Sequence, residues 1–460
     1  MNKDLLLYVG VIAELDRLQI NQGGNANVQN CRQLNLTTSS NSQWSIKSIS
    51  TVIEKIKSHM QSFRSILVPG LLLTVLVILQ AMDLFGIGKQ GLAWVTSSSH
   101  SRVSDDIVIV DIDQSSQAKY GRWPFDRRDV AAVVNRLRTE GAGAIILDLP
   151  LEDPDRARGD EELAKALASK GVILVQQATM DSTGSSYTPK KFQGLDQKNL
   201  DQMHQYSGTV SPLPKLIQSA SGVGTTDFST ASDLYNKYPL VVPVNGVLHA
   251  SPIIEALRYT VHESNYDFKH TGKGVRIGIG QFLNIATDSS GKFYINYDHE
   301  FKTLKLGQDR FKAVKNKIVI VGVSLPGANS QLSTPNGLMY SHVIQAHALQ
   351  TILDGPPPLR SAFVVMLETI ISISAFLALW YFWRRSQDVI NVVKLVLILC
   401  ITAGVPFVAL SNINVLFDPV WPTVISLTPV LFILYQRYRH HLRCYLCVWI
   451  CGGQNSKDKT

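Results

Sequence analysis

Hydrophobic positions fall into two kinds of pattern along this chain. Through the middle, short unbroken apolar runs alternate with stretches whose apolar residues recur every three or four positions. IVIVDID (Ile107–Asp113) is a β-branched run, and DRRDVAAVVNRLRTEG (Asp126–Gly141) then sets Val130, Val133, Val134 and Leu137 on one helical face before a glycine stop. AIILDL (Ala144–Leu149) predicts a second buried strand, DEELAKALASKG (Asp160–Gly171) a second helix, and VILVQQ (Val172–Gln177) a third strand. The alternation continues through LPKLIQSA (helix), KYPLVVPV (strand), SPIIEALRYT (helix), VRIGIG and KFYINY (strands). It closes with the strand NKIVIVGVS (Asn316–Ser324) and the helix HVIQAHALQTILDG (His342–Gly355). Continuous apolar strands separated by amphipathic helices predict a parallel sheet covered on both faces, an α/β layered domain.

The second pattern is longer. Residues 65–82, 362–383, 389–410 and 419–436 are apolar, broken only by Glu368 and Lys394. A helix needs about 20 such residues to cross the hydrocarbon core. Four transmembrane α-helices are therefore expected, the first read as a retained signal anchor. They divide the chain into a cytoplasmic N-terminal region (1–64), an external domain (83–360) and a short cytoplasmic tail (437–460).

Composition supports a membrane protein: 17% charged and 45% hydrophobic residues, with the sequence's mean hydropathy at +0.07. Soluble domains carry roughly 25% charged residues. The formal charge of +8 is not a nucleic-acid footprint, because its excess flanks the apolar runs. Lys55, Lys57 and Arg64 precede the first run, Arg384 and Arg385 lie between the second and third, and Arg437, Arg439 and Arg443 follow the last. Both termini are thus expected in the cytoplasm. The five cysteines (Cys31, Cys400, Cys444, Cys447, Cys451) all lie outside 83–360, and that block has no Asn-x-Ser/Thr acceptor. A bacterial inner membrane with a periplasmic domain fits this better than a eukaryotic surface.

Ligands of parallel sheets collect beyond the carboxyl ends of the strands. Asp111 and Asp113 stand there after one strand, Asp148 after the next, and the turn Ser324-Leu-Pro-Gly-Ala-Asn, with Gly327, after a third. Carboxylates at strand ends also cap helices and anchor turns; both roles are open. IVIVDIDQS resembles the first strand of a haloacid-dehalogenase-like phosphohydrolase, with Asp111 as nucleophile and Asp113 as general acid. That chemistry also needs a late strand ending in acids to hold Mg²⁺, and VIVGVSLPG supplies none. No nucleophile elbow, zinc-protease motif, P-loop or dinucleotide fingerprint occurs, so no enzyme and no cofactor are expected.

Asp105–Asp155, with its strand ending Asp-x-Asp, its Gly-Arg-Trp-Pro-Phe turn, its helix and its second strand ending in Asp, resembles the opening of the second class of CHASE-type extracytoplasmic sensory domains. Residues 295–299 and 316–339, the closing helix and the arrangement of one apolar span before and three after resemble that class too. The resemblance implies a bacterial membrane receptor whose external domain takes an unidentified signal. It brings Trp123 and Arg127 to the ligand candidates Asp111, Asp113, Asp148, Ser324 and Gly327. It departs at Tyr340–Ala346, where Gln345 stands at the family's histidine position. In the family such a domain is usually joined to a cytoplasmic output module; the 24 residues after Gln436 are too few for one, so a separate partner is expected.

That partner has surfaces to meet. Leu5, Tyr8, Val9, Ile12 and Leu15 form one stripe of an amphipathic helix over 4–20, followed by a polar linker (21–43) and a second helix (48–64). The tail sets His440, Cys444, Cys447 and Cys451 on one helical face, spread too far to close one metal tetrahedron; they are read as juxtamembrane thiols with no specific role, with a shared metal or lipid as weaker options. Glu368, an acid inside a span, is a coupling candidate by default. The expected function is a non-enzymatic receptor subunit that contacts the membrane, a periplasmic ligand, a cytoplasmic or membrane protein and, as for many receptors, a second copy of itself. A structural subunit of an envelope complex is the alternative, and a Mg²⁺-dependent phosphohydrolase the remote one.

Overall fold

The structure, a computed structural model, describes residues 67–83, 86–97, 102–182, 187–195, 200, 203–228, 234–271, 274–306, 311–329, 331–358, 360–385 and 389–454. Contacts divide the chain after Val68, and the fold below is that of residues 69–460. The stripe Leu5–Leu15 lies outside the described residues.

Two helices, α1 (Leu67–Met82) and α2 (Ile87–Ser97), lead into a seven-stranded sheet. Its strands are β1 (Arg102–Ile112), β2 (Ala144–Leu147), β3 (Val172–Thr179), β4 (Gly208–Val210), β5 (Gly222–Thr226), β6 (His299–Lys305) and β7 (Ile318–Val323). The order is β6-β1-β7-β2-β3, with β4 and β5 both pairing with β3. Every pairing is parallel except that of β4. Alternate residues of each strand point to opposite faces, so one sequence run feeds two cores. Ile107, Ile109, Ile146, Ile173 and Ile320 enter one core; Val108, Val110, Ile145, Leu174 and Val321 enter the other.

Helices α3 (Arg127–Thr139), α4 (Asp160–Leu167) and α5 (Pro214–Ser219) cover the second face through Val134, Leu137, Leu163 and Leu216. Helices α6 (Pro252–Thr260) and α7 (Ser341–Leu353) cover the first through Ile253, Ile254, Ile344 and Leu349. The doubly covered α/β sheet read from the sequence is therefore present, but it is not the whole domain. A second, four-stranded sheet runs in the order 283–287, 274–279, 266–271, 192–193, antiparallel except at its short last strand. VRIGIG belongs there and not to the main sheet. KYPLVVPV is also diverted: its halves pair as two-stranded ladders with 292–294 and 247–250. Pro239 and Pro243 lack the N–H that a central strand must donate.

Beyond the domain follow α8 (Ala362–Arg385), α9 (Val389–Ile413) and α10 (Val420–Gln454). Among the described residues two helices, 362–385 and 391–413, are long and apolar enough to cross a membrane, fewer than the four expected. The first run is described only from Leu67, as α1, and the fourth lies within α10. After α1 the chain turns at Asp83, whose φ is +42° and whose carboxylate caps α2 through the amides of Gly88 (2.8 Å) and Lys89 (3.2 Å). Counted as one bent span, α1 and α2 would make a third. In α10 only 420–436 is apolar. His440, Cys444, Cys447 and Cys451 ride on the same helix, and their side chains lie outside the described residues.

Candidate functional site

The carboxyl edge of the main sheet is roofed by the first turns of α7. Asp111 is aligned with Gly322 of the adjacent strand β7, and that glycine makes room for the roof. A Cβ there would stand 2.1 Å from Cγ of His342. The imidazole thus lies over bare backbone, with Nε2 3.6 Å from Asp111 Oδ1, too far for a hydrogen bond. Ser324 at the end of β7 donates its hydroxyl to Asp111 Oδ2 at 2.7 Å. Asp111 Oδ1 and His342 Nδ1 are buried with no hydrogen-bond partner. Burial pushes the Asp111 carboxyl above its usual range and holds His342 down to about 4. At neutral pH the His342 ring is uncharged.

On the other side of β7, Asp148 follows β2 and is 8% exposed. Its Oδ2 accepts from Ser341 Oγ at 2.6 Å and from Gln345 Nε2 at 2.8 Å, both on α7. Asn329 donates to Ser341 Oγ at 3.1 Å. Burial raises this carboxyl to about 6 despite the two hydrogen bonds. Beside it opens a cavity of about 260 Å³, lined by Asp148, residues 149–152, Gln176, Gln177, Ala328 and Asn329 among others. A polar chain runs behind: Gln176 donates to Thr225 Oγ1 at 2.8 Å and accepts from Ser211 at 2.8 Å. The cavity is lined by hydrogen-bonding groups, and its acid switches from acceptor to donor near pH 6. Gln345, at the position where the resemblance expects histidine, is one of the two groups holding that acid.

The remaining sequence candidates are placed elsewhere. Asp113 caps the turn 114–116 and pairs with Lys305 at 2.8 Å; although partial burial opposes it, the Lys305 and Ser115 hydrogen bonds hold its carboxyl down to about 2. Trp123 packs edge-on against Phe125 at 5.3 Å. Arg127 is buried, paired with Asp160. Both line a separate cavity of about 220 Å³ on the other side of the segment 149–152. Gly327 is a turn residue with φ +80° and open space around it. Glu368 is 2% exposed and gripped by Arg360 at 2.7 and 2.8 Å and by the Asp418 amide at 2.7 Å.

Asp111, Asp148 and Ser324 are thus brought under one helix, while Asp113, Trp123, Arg127 and Gly327 are not. Sequence reasoning missed Ser341 and His342. A signal was available: residues 341–353 (SHVIQAHALQTIL) carry no Lys, Arg, Asp or Glu, and His342, Gln345, His347 and Gln350 are all buried. A helix with no charged face and several polar residues has to satisfy them inside. Among the described residues no group of three or more His, Cys, Asp or Glu is placed to hold a metal ion.

Comparison with family models matches residues 69–382 to the CHASE2 domain, a stretch that includes the helices on either side of the α/β core. No curated protein and no solved structure matches the chain.

Proposed function

The chain belongs to the CHASE2 domain family, a family of sensory domains, and on that premise we propose a receptor subunit of the bacterial inner membrane. In this reading four spans cross the membrane, both termini are cytoplasmic, and the α/β domain takes its signal on the periplasmic side. The ligand groups are Asp111, Asp148 and Ser324, and no covalent chemistry is involved. The observation that carries the reading is α7. Its first turns hold Asp148 through Ser341 and Gln345, and only the segment 354–361 separates its end from α8. A ligand that changes the charge or hydrogen bonding of Asp148 changes what holds the start of α7, and the far end of that helix pulls on the membrane. Along the way α7 is fastened to β1 by Ser104 on Gln350 at 2.6 Å and to the segment before β6 by the Asn296 amide on Thr351 at 3.0 Å.

The output is handed to a separate cytoplasmic protein through the apolar stripe Leu5, Tyr8, Val9, Ile12 and Leu15. Native purification from mildly solubilised membranes, followed by mass spectrometry, tests this step. A stoichiometric companion is expected with the full chain and absent after deletion of residues 1–64. A chain that comes out alone after gentle cross-linking defeats the hand-over. A companion held by the external domain instead favours an assembly role.

A further inference from the structure

The outer face of the second sheet carries a charge arrangement that the sensory site does not use. In the hairpin 266–279, Lys269 stands directly opposite Arg276. Both are exposed on the side turned away from Phe268 and Ile277, which are buried in the core. Like charges directly opposite on an antiparallel pair repel and destabilise it. Neither cation has an ion pair or hydrogen bond among the described residues. The other charges that line the groove are committed: Asp288 to Lys237 at 2.8 Å, Lys292 to Asp227, and Arg360 to Glu368. The two free cations line a groove of about 950 Å³ whose other walls include Ala286, Tyr294, Pro358 and Ala362. Ala362 is the first residue of α8, a helix apolar enough to span a membrane, and just below it Phe363, Met366 and Ile370 are exposed.

We infer that this groove seats the headgroup of an anionic phospholipid from the outer leaflet, its phosphate between Lys269 and Arg276 and its acyl chains along α8. An anion there removes the cross-strand repulsion, and a guanidinium offers phosphate two parallel N–H donors. The apolar walls and the groove's position at the start of a spanning helix select a lipid over a soluble anion. The inference rests on α8 crossing the membrane.

The full chain, reconstituted in nanodiscs holding equal phosphatidylglycerol and phosphatidylcholine, is released for native mass spectrometry. Phosphatidylglycerol should be retained in excess over phosphatidylcholine. K269Q and R276Q should each lower that excess about fivefold (~1 kcal/mol per charge). The conservative K269R/R276K variant should keep it. An unchanged lipid ratio in both neutralised variants overturns the inference. So does displacement of the lipid by millimolar inorganic phosphate, which would make a soluble anion the occupant. Span crossing is read separately, from L377C in a background without the native cysteines. If that thiol is shielded from a water-soluble maleimide, a wild-type chain that retains no excess of phosphatidylglycerol, or variants that leave the excess unchanged, count against the groove alone. If it is labelled, the membrane reading falls and this inference with it.

Discussion

Asp148 is a carboxylic acid whose pKa in the folded chain, about 6, stands above its ordinary value of 3.8. The folded state therefore binds this proton more tightly than the unfolded state does. The stabilisation from that linkage is complete below pH 3.8, shrinks as pH rises toward 6, and is gone above it. Asp148→Asn keeps an acceptor for Ser341 and Gln345 and carries no charge. It should remove this slope and raise stability at pH 7.5 by about 1–3 kcal/mol. Urea unfolding of the detergent-solubilised chain between pH 4 and 7.5, followed by tryptophan fluorescence, reads the difference; a variant less stable than wild type at pH 7.5 would refute it. His342 has the opposite sign: held at about 4 by burial, it contributes stability above 6.5 that is lost as pH falls toward 4. The acids of this site were legible because a run such as AIILD can only be a buried strand with its carboxylate at the end. Their partners were not, since Ser341 and Gln345 lie 193 and 197 positions from Asp148.

At the scale of elements, the seat of α7 depends on a glycine. A methyl at Gly322 would collide with the His342 ring, which has backbone beneath it and nowhere to retreat. Gly322→Ala should cost about 3 kcal/mol and lower the thermal midpoint; adding His342→Ala should recover part of that loss. A thermal melt of the two variants checks both halves. The same reasoning explains β5, which no pattern announced. GVGTT holds no unbroken apolar run, and a Cβ on Gly224 would sit 2.2 Å from Pro252, so the strand carries glycine to let α6 lie against it. Strands β1, β2, β3 and β7 were readable because burial on both faces demands unbroken β-branched runs. Edge strand β6 (HEFKTLK) was not, having one solvated side.

At the scale of the molecule, one ion pair ties the segment that follows α7 to α8 and to the chain before α10. Arg360, on the segment between α7 and α8, grips Glu368 in α8, and Glu368 also accepts the amide of Asp418 before α10. Arg360→Met strands a buried carboxylate and should cost about 3 kcal/mol, while Arg360→Met with Glu368→Leu should cost less. Thermal melts in detergent measure the cost, and equal losses in the two variants would show the pair to be incidental. Apolar run length alone marked the helices 362–385 and 391–413 as long enough to cross a membrane, and the runs that form β1, β2, β3 and β7 as buried strands, because burial of nonpolar surface depends on pattern and needs no partner. Whether a given strand joins the main sheet or a side ladder, and whether an acid caps a turn or waits in a cavity, were decided by tertiary structure. Each of those outcomes depends on hydrogen bonds and close approaches between residues far apart in sequence, and local pattern carries no record of them.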